Sequence, residues 1–353
     1  MTIEAPAGPQ TRIQDLDALR GLAAMAVVLF HFTTRYDDLY GHRTEPWFNV
    51  PWGHFGVQLF FGISGFVIFM TLDRTRSLTD FAVSRASRLY PAYWTAILLT
   101  TAVVTLTAMD EFARSPLEIA ANATMVQGFI GVQPVDGVYW TLGVELAFYC
   151  AMAALWKLRL LPRIELVLLG WMGLKWVWEF SPLLLGFEPS WLLGALLVQE
   201  YIPFFAIGIA AYRLKCGTGG RGWAWSVIAA ALVTVAACDD LPHLAVALIS
   251  TMALTTIALG RIPLLGARWL VWLGAVSYSL YLLHQVIGFA LLQRLEAVGF
   301  DANAAIAITI TAMLALAAGV TFFVERPALR AIRGRYRAYQ RQEPRAAEPV
   351  AAE

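Results

Sequence analysis

The chain has 353 residues, of which 59% are hydrophobic and 14% charged, with a formal net charge of +1. So little charge cannot coat a soluble globule of this size, which makes this a membrane protein. The balanced charge, with no basic stripe interleaved with aromatics, excludes a nucleic-acid partner. Cys150, Cys216 and Cys238 are far apart and form no CxxC pair, so neither a disulfide framework nor a metal site is expected and small apolar packing is their reading.

The opening "MTIEAPAGPQTRIQDLD" has no basic leader and no small-residue cleavage site after it, so residues 1–14 are read as a cytoplasmic segment and the first apolar helix as retained. Ten stretches suit a crossing of roughly 30 Å of hydrocarbon, which takes about 20 helical residues. They are residues 16–34, 52–72, 89–109, 139–157, 164–180, 190–212, 222–238, 241–260, 269–292 and 303–324. The fifth contains Lys175 and Glu179, and little more than "DDLP" separates the seventh from the eighth. Residues 110–138 are the longest connection, with a short interfacial helix expected to begin at Ser115 and Pro116. The expected fold class is therefore an all-α, polytopic transmembrane helical bundle of about ten helices.

Lys and Arg set its orientation. They gather in alternate loops: Arg74, Arg76, Arg85 and Arg88; Lys157, Arg159 and Arg163; Arg213, Lys215 and Arg221; Arg261 and Arg268. The tail "ERPALRAIRGRYRAYQRQEPR" is basic as well, so both termini are expected in the cytoplasm, with a membrane domain over 15–327 and a basic, then low-complexity, tail over 328–353. Trp47, Trp52, Trp191, Trp223 and Trp269 fall near segment boundaries, where interfacial anchors belong.

Within the apolar segments a few polar residues need a reason. Arg20 and His31 are eleven positions apart, about three turns and some 16 Å along one face of a helix. Arg20 either snorkels to the headgroups or faces a cavity; His31 is either a structural histidine bonded to another helix or part of a reaction path. In "YWTLGVELAFY", Thr141 and Tyr149 flank Glu145 at i−4 and i+4. In "LGAVSYSLYLLHQVI", Ser277, Tyr281 and His284 share a face at i, i+4 and i+7. Three helices thus supply one polar pocket, in which His31 held by Glu145 makes a general base. Arg85 and Arg88, three apart in "SRASRLYPAYW" just before the third segment, suit phosphate oxygens, with topology signalling as the plain alternative. Gly56, Gly62 and Gly65 surround Ser64 in "GVQLFFGISGFVI", where small residues permit close packing or line a ligand route.

Taken in order, "LDALRGLAAMAVVLFHF" with its R-x10-H spacing, "GVQLFFGISGFVI", "SRASRLYPAYW", "YWTLGVELAFY", "SYSLYLLH" and "VERP" resemble the landmarks of the acyltransferase 3 family of integral membrane acyltransferases, over about residues 15–327. The resemblance implies transfer of an acyl group, commonly acetyl, from acyl-coenzyme A to a hydroxyl of a surface polysaccharide or lipopolysaccharide sugar; a macrolide-like metabolite is the alternative acceptor. It implies His31, Glu145 and Arg20 as catalytic, with His31 as base or acyl carrier. Arg85, Arg88 and Ser64 would hold the acyl-CoA, and Tyr149, Tyr281, His284 and Trp140 the acceptor side, with Ser64 or Tyr281 also suited to an oxyanion. Gln58 stands where many relatives carry aspartate and is given no role. The partners implied are membrane lipid, acyl-CoA and a glycan, in a bacterial cytoplasmic membrane. A proton-coupled transporter is the rival class, weakened by the absence of an internal repeat and of matched broken helices.

Overall fold

A computed structural model describes residues 14–186, 188–260 and 262–342, and among them every regular element is helical. Arg261, both chain ends and the low-complexity half of the tail lie outside the described residues. In chain order the helices are α1 (Gln14–Phe30), α2 (Tyr36–Tyr40), α3 (Gly56–Leu72), α4 (Leu78–Thr107), α5 (Pro116–Asn122), α6 (Trp140–Lys157), α7 (Ile164–Leu185), α8 (Trp191–Leu196), α9 (Ile202–Cys216), α10 (Arg221–Cys238), α11 (Leu241–Leu259), α12 (Arg268–Leu283), α13 (Gln285–Ala297), α14 (Ala302–Val320) and α15 (Arg326–Gln342).

Among the described residues, seven helical segments are long and apolar enough to cross a membrane, and α12 with α13 makes an eighth if that bent pair is one span. The protein is therefore integral to a membrane. Two of the expected crossings fall outside that set for different reasons. α7 carries Glu165, Lys175 and Glu179, and the first two are neutralised by neighbours: Glu165 Oε1 accepts from Arg213 Nε at 2.6 Å and Asp239 Oδ1 from Lys175 Nζ at 3.2 Å. α9 has only 15 residues, yet every one from Ile202 to Leu214 is buried, so protein rather than lipid surrounds it.

Close approach between helices rests on absent side chains, as expected where lipid removes the hydrophobic drive for helices to pair. α1 and α12 lie side by side: Gly21 meets the backbone of Leu273 and Gly274, while Gly274 meets that of Asp17. Both helices run the same way and end together, at His31 and His284. α3 meets α9 through Gly65 and Gly208, each with no room for a Cβ against the opposite backbone, Gly208 lying against the carbonyl of Gly62. These glycines pack, while Ser64 between them faces a cavity.

Several expected boundaries move. α4 begins at Leu78 instead of 89, because the Ser77 hydroxyl caps it by accepting from Asp80 N at 3.1 Å, so Arg85 and Arg88 lie within the helix instead of before it. The segment read as 190–212 is two helices, α8 and α9, parted by a turn at Leu197–Tyr201 in which Val198 adopts φ +45°. The segment read as 269–292 bends by 77° at His284. The short helix begun at Ser115 forms as expected, with Ser115 and Glu118 closing a reciprocal capping box. Cys150 and Cys216 are exposed on the bundle surface, so packing into the core is not their role. The basic segment after residue 325 is a helix docked on the start of α4: Tyr336 Oη donates to Asp80 Oδ1 at 2.8 Å and Arg333 Nε to Ser87 Oγ at 3.2 Å.

Candidate active site

Two cavities lie along α1, one toward each end. The first, about 110 Å³, gathers residues from α1, α3, α4, α6 and α12, including Arg20, Ser64, Arg85, Arg88, Glu145, Tyr149 and Tyr281. Of the two readings of Arg20, the structure supports the cavity. The second, about 370 Å³, is lined by His31, His54, Gln58, Trp140, Tyr201, Tyr281 and Gln285 among others. Val57 and Tyr281 line both, so the arginine cavity and the histidine cavity adjoin.

Glu145 does not reach His31. Its Oε1 accepts from Ser64 Oγ at 2.8 Å and from Tyr149 Oη at 2.6 Å, which ties α3 to α6 in the arginine cavity. The expected His31–Glu145 couple is therefore replaced by two local arrangements, because the carboxylate sits too far down α6 to serve the end of α1. The histidine instead finds another histidine. His284 Nδ1 lies 2.8 Å from the Tyr281 carbonyl, and a carbonyl only accepts, so Nδ1 carries the hydrogen and Nε2 is an acceptor. His31 Nδ1 lies 2.9 Å from the Val27 carbonyl and must likewise carry its hydrogen, shared with His284 Nε2 at 3.2 Å. That tautomer, assigned from the bonding network, leaves the His31 Nε2 lone pair for chemistry in a ring that lines the cavity.

The backbone around this pair is irregular on both helices. α1 passes at His31 into a π-helical turn, Tyr36 N donating to His31 O, and such turns recur at functional sites. On the other helix the break at His284 is stitched by Asp136, which precedes α6. Its Oδ2 accepts from Val286 N and its Oδ1 from Val138 N, both at 3.1 Å. Burial pushes the Asp136 carboxyl up to about 7 against the pull of those two amides. Sequence reading missed Asp136; its only signal was an acidic residue placed to cap the turn before an apolar helix.

At the arginine end, Arg88 pairs with Glu325 of the "VERP" motif, whose Oε2 accepts from Ser279 Oγ at 3.2 Å. Arg85 donates to Ser84 Oγ at 3.1 Å, and its Nε is buried with no partner among the described residues. Arg333 joins them from α15, donating to the Ser84 carbonyl at 3.1 Å. Glu325 and Arg333 are thus two further residues of this end to which sequence reading gave no role. Of the residues expected on the acceptor side, Trp140 and Tyr281 line the histidine cavity, Tyr149 lies in the arginine cavity, and fully buried His284 lines neither and bonds to His31. Tyr281 Oη lies 3.0 Å from Thr141 Oγ1 at the junction of the two.

A cationic cavity adjoining a histidine whose proton is held on one nitrogen, inside a polytopic membrane bundle, is the apparatus of a membrane group-transfer enzyme. The chain belongs to the acyltransferase 3 family: the family profile, described as an acyltransferase domain, matches residues 13–324, and the protein is an acyltransferase. It is similar to the exopolysaccharide production protein ExoZ of Rhizobium meliloti (strain 1021), with 27% identity over 317 residues covering 81% of this chain and 92% of that protein. It is also similar to nodulation protein 10 of Rhizobium leguminosarum bv. viciae, 29% identical over 160 residues, 40% of this chain and 43% of that one. No solved structure matches.

Proposed function

We propose that the protein is an O-acyltransferase of a bacterial cytoplasmic membrane that moves an acyl group, acetyl foremost, from cytoplasmic acyl-CoA to a hydroxyl of a surface polysaccharide. The observation that carries this reading is the His31 ring, its Nδ1 hydrogen engaged by Val27 and His284, lining a cavity next to the arginine cavity. Ten crossings, with α7 and α9 among them, return both termini to the side of the basic loops, which makes the arginine end cytoplasmic and the histidine end outer. The name of the Rhizobium meliloti relative, exopolysaccharide production, favours a polysaccharide acceptor.

The arginine cavity suits the phosphates of the donor: guanidinium matches phosphate oxygens in geometry as well as charge, and the Arg85 Nε is a buried donor with nothing to bond. Arg88 and Arg333 add positive charge beside it, and Arg20 extends it along α1 toward His31. Bound there, the donor supplies a thioester carbonyl at the junction of the cavities. His31 Nε2 takes the proton of the acceptor hydroxyl as its oxygen attacks that carbonyl; the C–S bond breaks and the proton leaves with the thiol. The ring keeps its Nδ1 hydrogen bonds throughout, which stabilise the imidazolium formed in passing. Tyr281, which lines both cavities, has a hydroxyl that would turn from the Val138 carbonyl to donate where negative charge develops on the thioester oxygen. As an acyl carrier, His31 would use the same nitrogen.

The test is free-thiol release from acetyl-CoA by the purified protein with polysaccharide acceptor, followed by mass spectrometry of the product. His31→Ala is expected to cut the rate by about 10²–10⁴-fold, the range for loss of a positioned base. A variant that still acetylates the acceptor at the parental rate overturns the mechanism.

A further inference from the structure

Beside the histidine cavity lies a larger groove, of about 780 Å³, to which no role has been given above. Its walls come from the start of α6, the far half of α7, α8, the turn between α8 and α9, and the link between α10 and α11. We propose that this groove holds an uncharged stretch of the acceptor sugar chain and feeds it to His31; the inference rests on the acyltransferase reading above and specifies its acceptor.

Three observations carry it. The groove and the histidine cavity share Trp140 and Tyr201, whose rings lie 5.6 Å apart, so the groove adjoins the His31 cavity. Next, Gln199 is only 4% exposed, lines the groove, and has neither amide oxygen nor amide nitrogen bonded among the described residues. A buried amide left bare on both sides costs free energy that a ligand with hydroxyl groups, each both donor and acceptor, would recover. Asp239 adds a further such atom: its Oδ1 accepts from Lys175, while buried Oδ2 has no partner among the described residues. The strained residue Val198, β-branched yet at φ +45°, immediately precedes Gln199 in this wall.

The third observation is the balance of flat apolar faces and charge. Trp178 and Trp191 join Trp140 around the groove, and broad aromatic faces beside a few convergent polar groups are the usual make-up of a ligand site. Glu179, Glu200, Asp239 and Asp240 outnumber Lys175 and His243, the first of which pairs with Asp239 while the second bonds to Asp240 at 2.5 Å. A surplus of carboxylates repels uronate, sulfate and phosphate groups and leaves uncharged sugars as the favoured occupant.

The experiment is saturation-transfer NMR on the full chain in detergent, with neutral β-gluco-oligosaccharides and oligogalacturonides of matched length as probes. Binding is read on the His31→Ala protein as well as the parent, so the groove is judged without any acyl transfer. Both proteins are expected to bind the neutral chain, Gln199→Leu and Trp178→Ala each to weaken that binding at least tenfold, and the oligogalacturonide to bind at least tenfold more weakly than the neutral chain. Acetyl-CoA binding, which is assigned above to the arginine cavity, should be unchanged in the two groove variants and certifies their fold. Neutral-chain binding that is absent from the parent, equal in both variants, or matched by the oligogalacturonide overturns the proposal and leaves the tryptophans as lipid anchors. Failure of the parent to release thiol from acetyl-CoA with polysaccharide acceptor present would instead sink the acyltransferase mechanism, whatever the groove binds.

Discussion

The two ends of the reaction path solve the cost of polarity in a membrane in opposite ways. At the arginine end charge is kept and matched: Arg88 against Glu325, Glu145 against the hydroxyls of Ser64 and Tyr149, with Arg85 and Arg333 gathered beside them. At the histidine end two imidazoles bond to each other, each with its Nδ1 against a backbone carbonyl. On the mechanism proposed above, grip and chemistry are separated along α1. Anion binding needs permanent charge, which a low-dielectric site holds only with counter-groups. Proton transfer needs a group that can gain and lose charge during the reaction.

The largest effect that would break this comparison is expected at the arginine end. Arg88→Ala leaves Glu325, 1% exposed, as a buried unpaired carboxylate, and removing one partner of such a pair costs about 3–5 kcal/mol. Thermal unfolding in detergent should show the loss, and Glu325→Gln in the same chain should recover stability without recovering donor affinity. If the single variant melts like the parent, the pair is not what holds α4 to the end of α14.

A smaller effect, and a sharper one, is expected at the other end. His284→Ala deprives the His31 Nδ1 hydrogen of one acceptor and should lower kcat by about 10²-fold with little change in either KM. His284→Gln, whose amide oxygen also accepts, should restore part of the rate. Equal losses in the two variants would mean that the second histidine merely fills space. The smallest of the three is Arg85→Ala: losing one phosphate-binding fork should raise the donor KM by about tenfold, near 1.4 kcal/mol, and leave the acceptor KM alone. A change in the acceptor KM instead would show that the two ends are not separate.

Much of the helical architecture was legible in the sequence. Apolar runs of about 20 residues have few alternatives in a bilayer, so most segments were found, with errors where a polar cap or a local break moved a boundary. Ser77 draws α4 back over Arg85 and Arg88, and nothing in the apolar run after 89 announces it. The break at His284 was invisible for a related reason: the carboxylate that stabilises it, Asp136, comes from a distant part of the chain. The residues of the site were largely legible one at a time, since ionisable groups in apolar helices need a purpose. Their partnerships were not. Depth along separate helices suggested His31 with Glu145, but depth leaves open which way each helix is turned and how close it comes.

By itself, then, the sequence determined that this is a helical membrane protein and, through its ordered motifs, which family it belongs to, and it offered candidate residues for the chemistry. Those conclusions follow from composition and local pattern, which water, lipid and the backbone judge residue by residue. Only the tertiary structure decided that His31 leans on His284, that Glu145 serves the arginine cavity, that Arg88 answers Glu325, and that a groove opens beside Trp140. Each of these joins parts far apart in the chain, the first of them where Gly21 and Gly274 let α1 and α12 touch, and no local pattern records it.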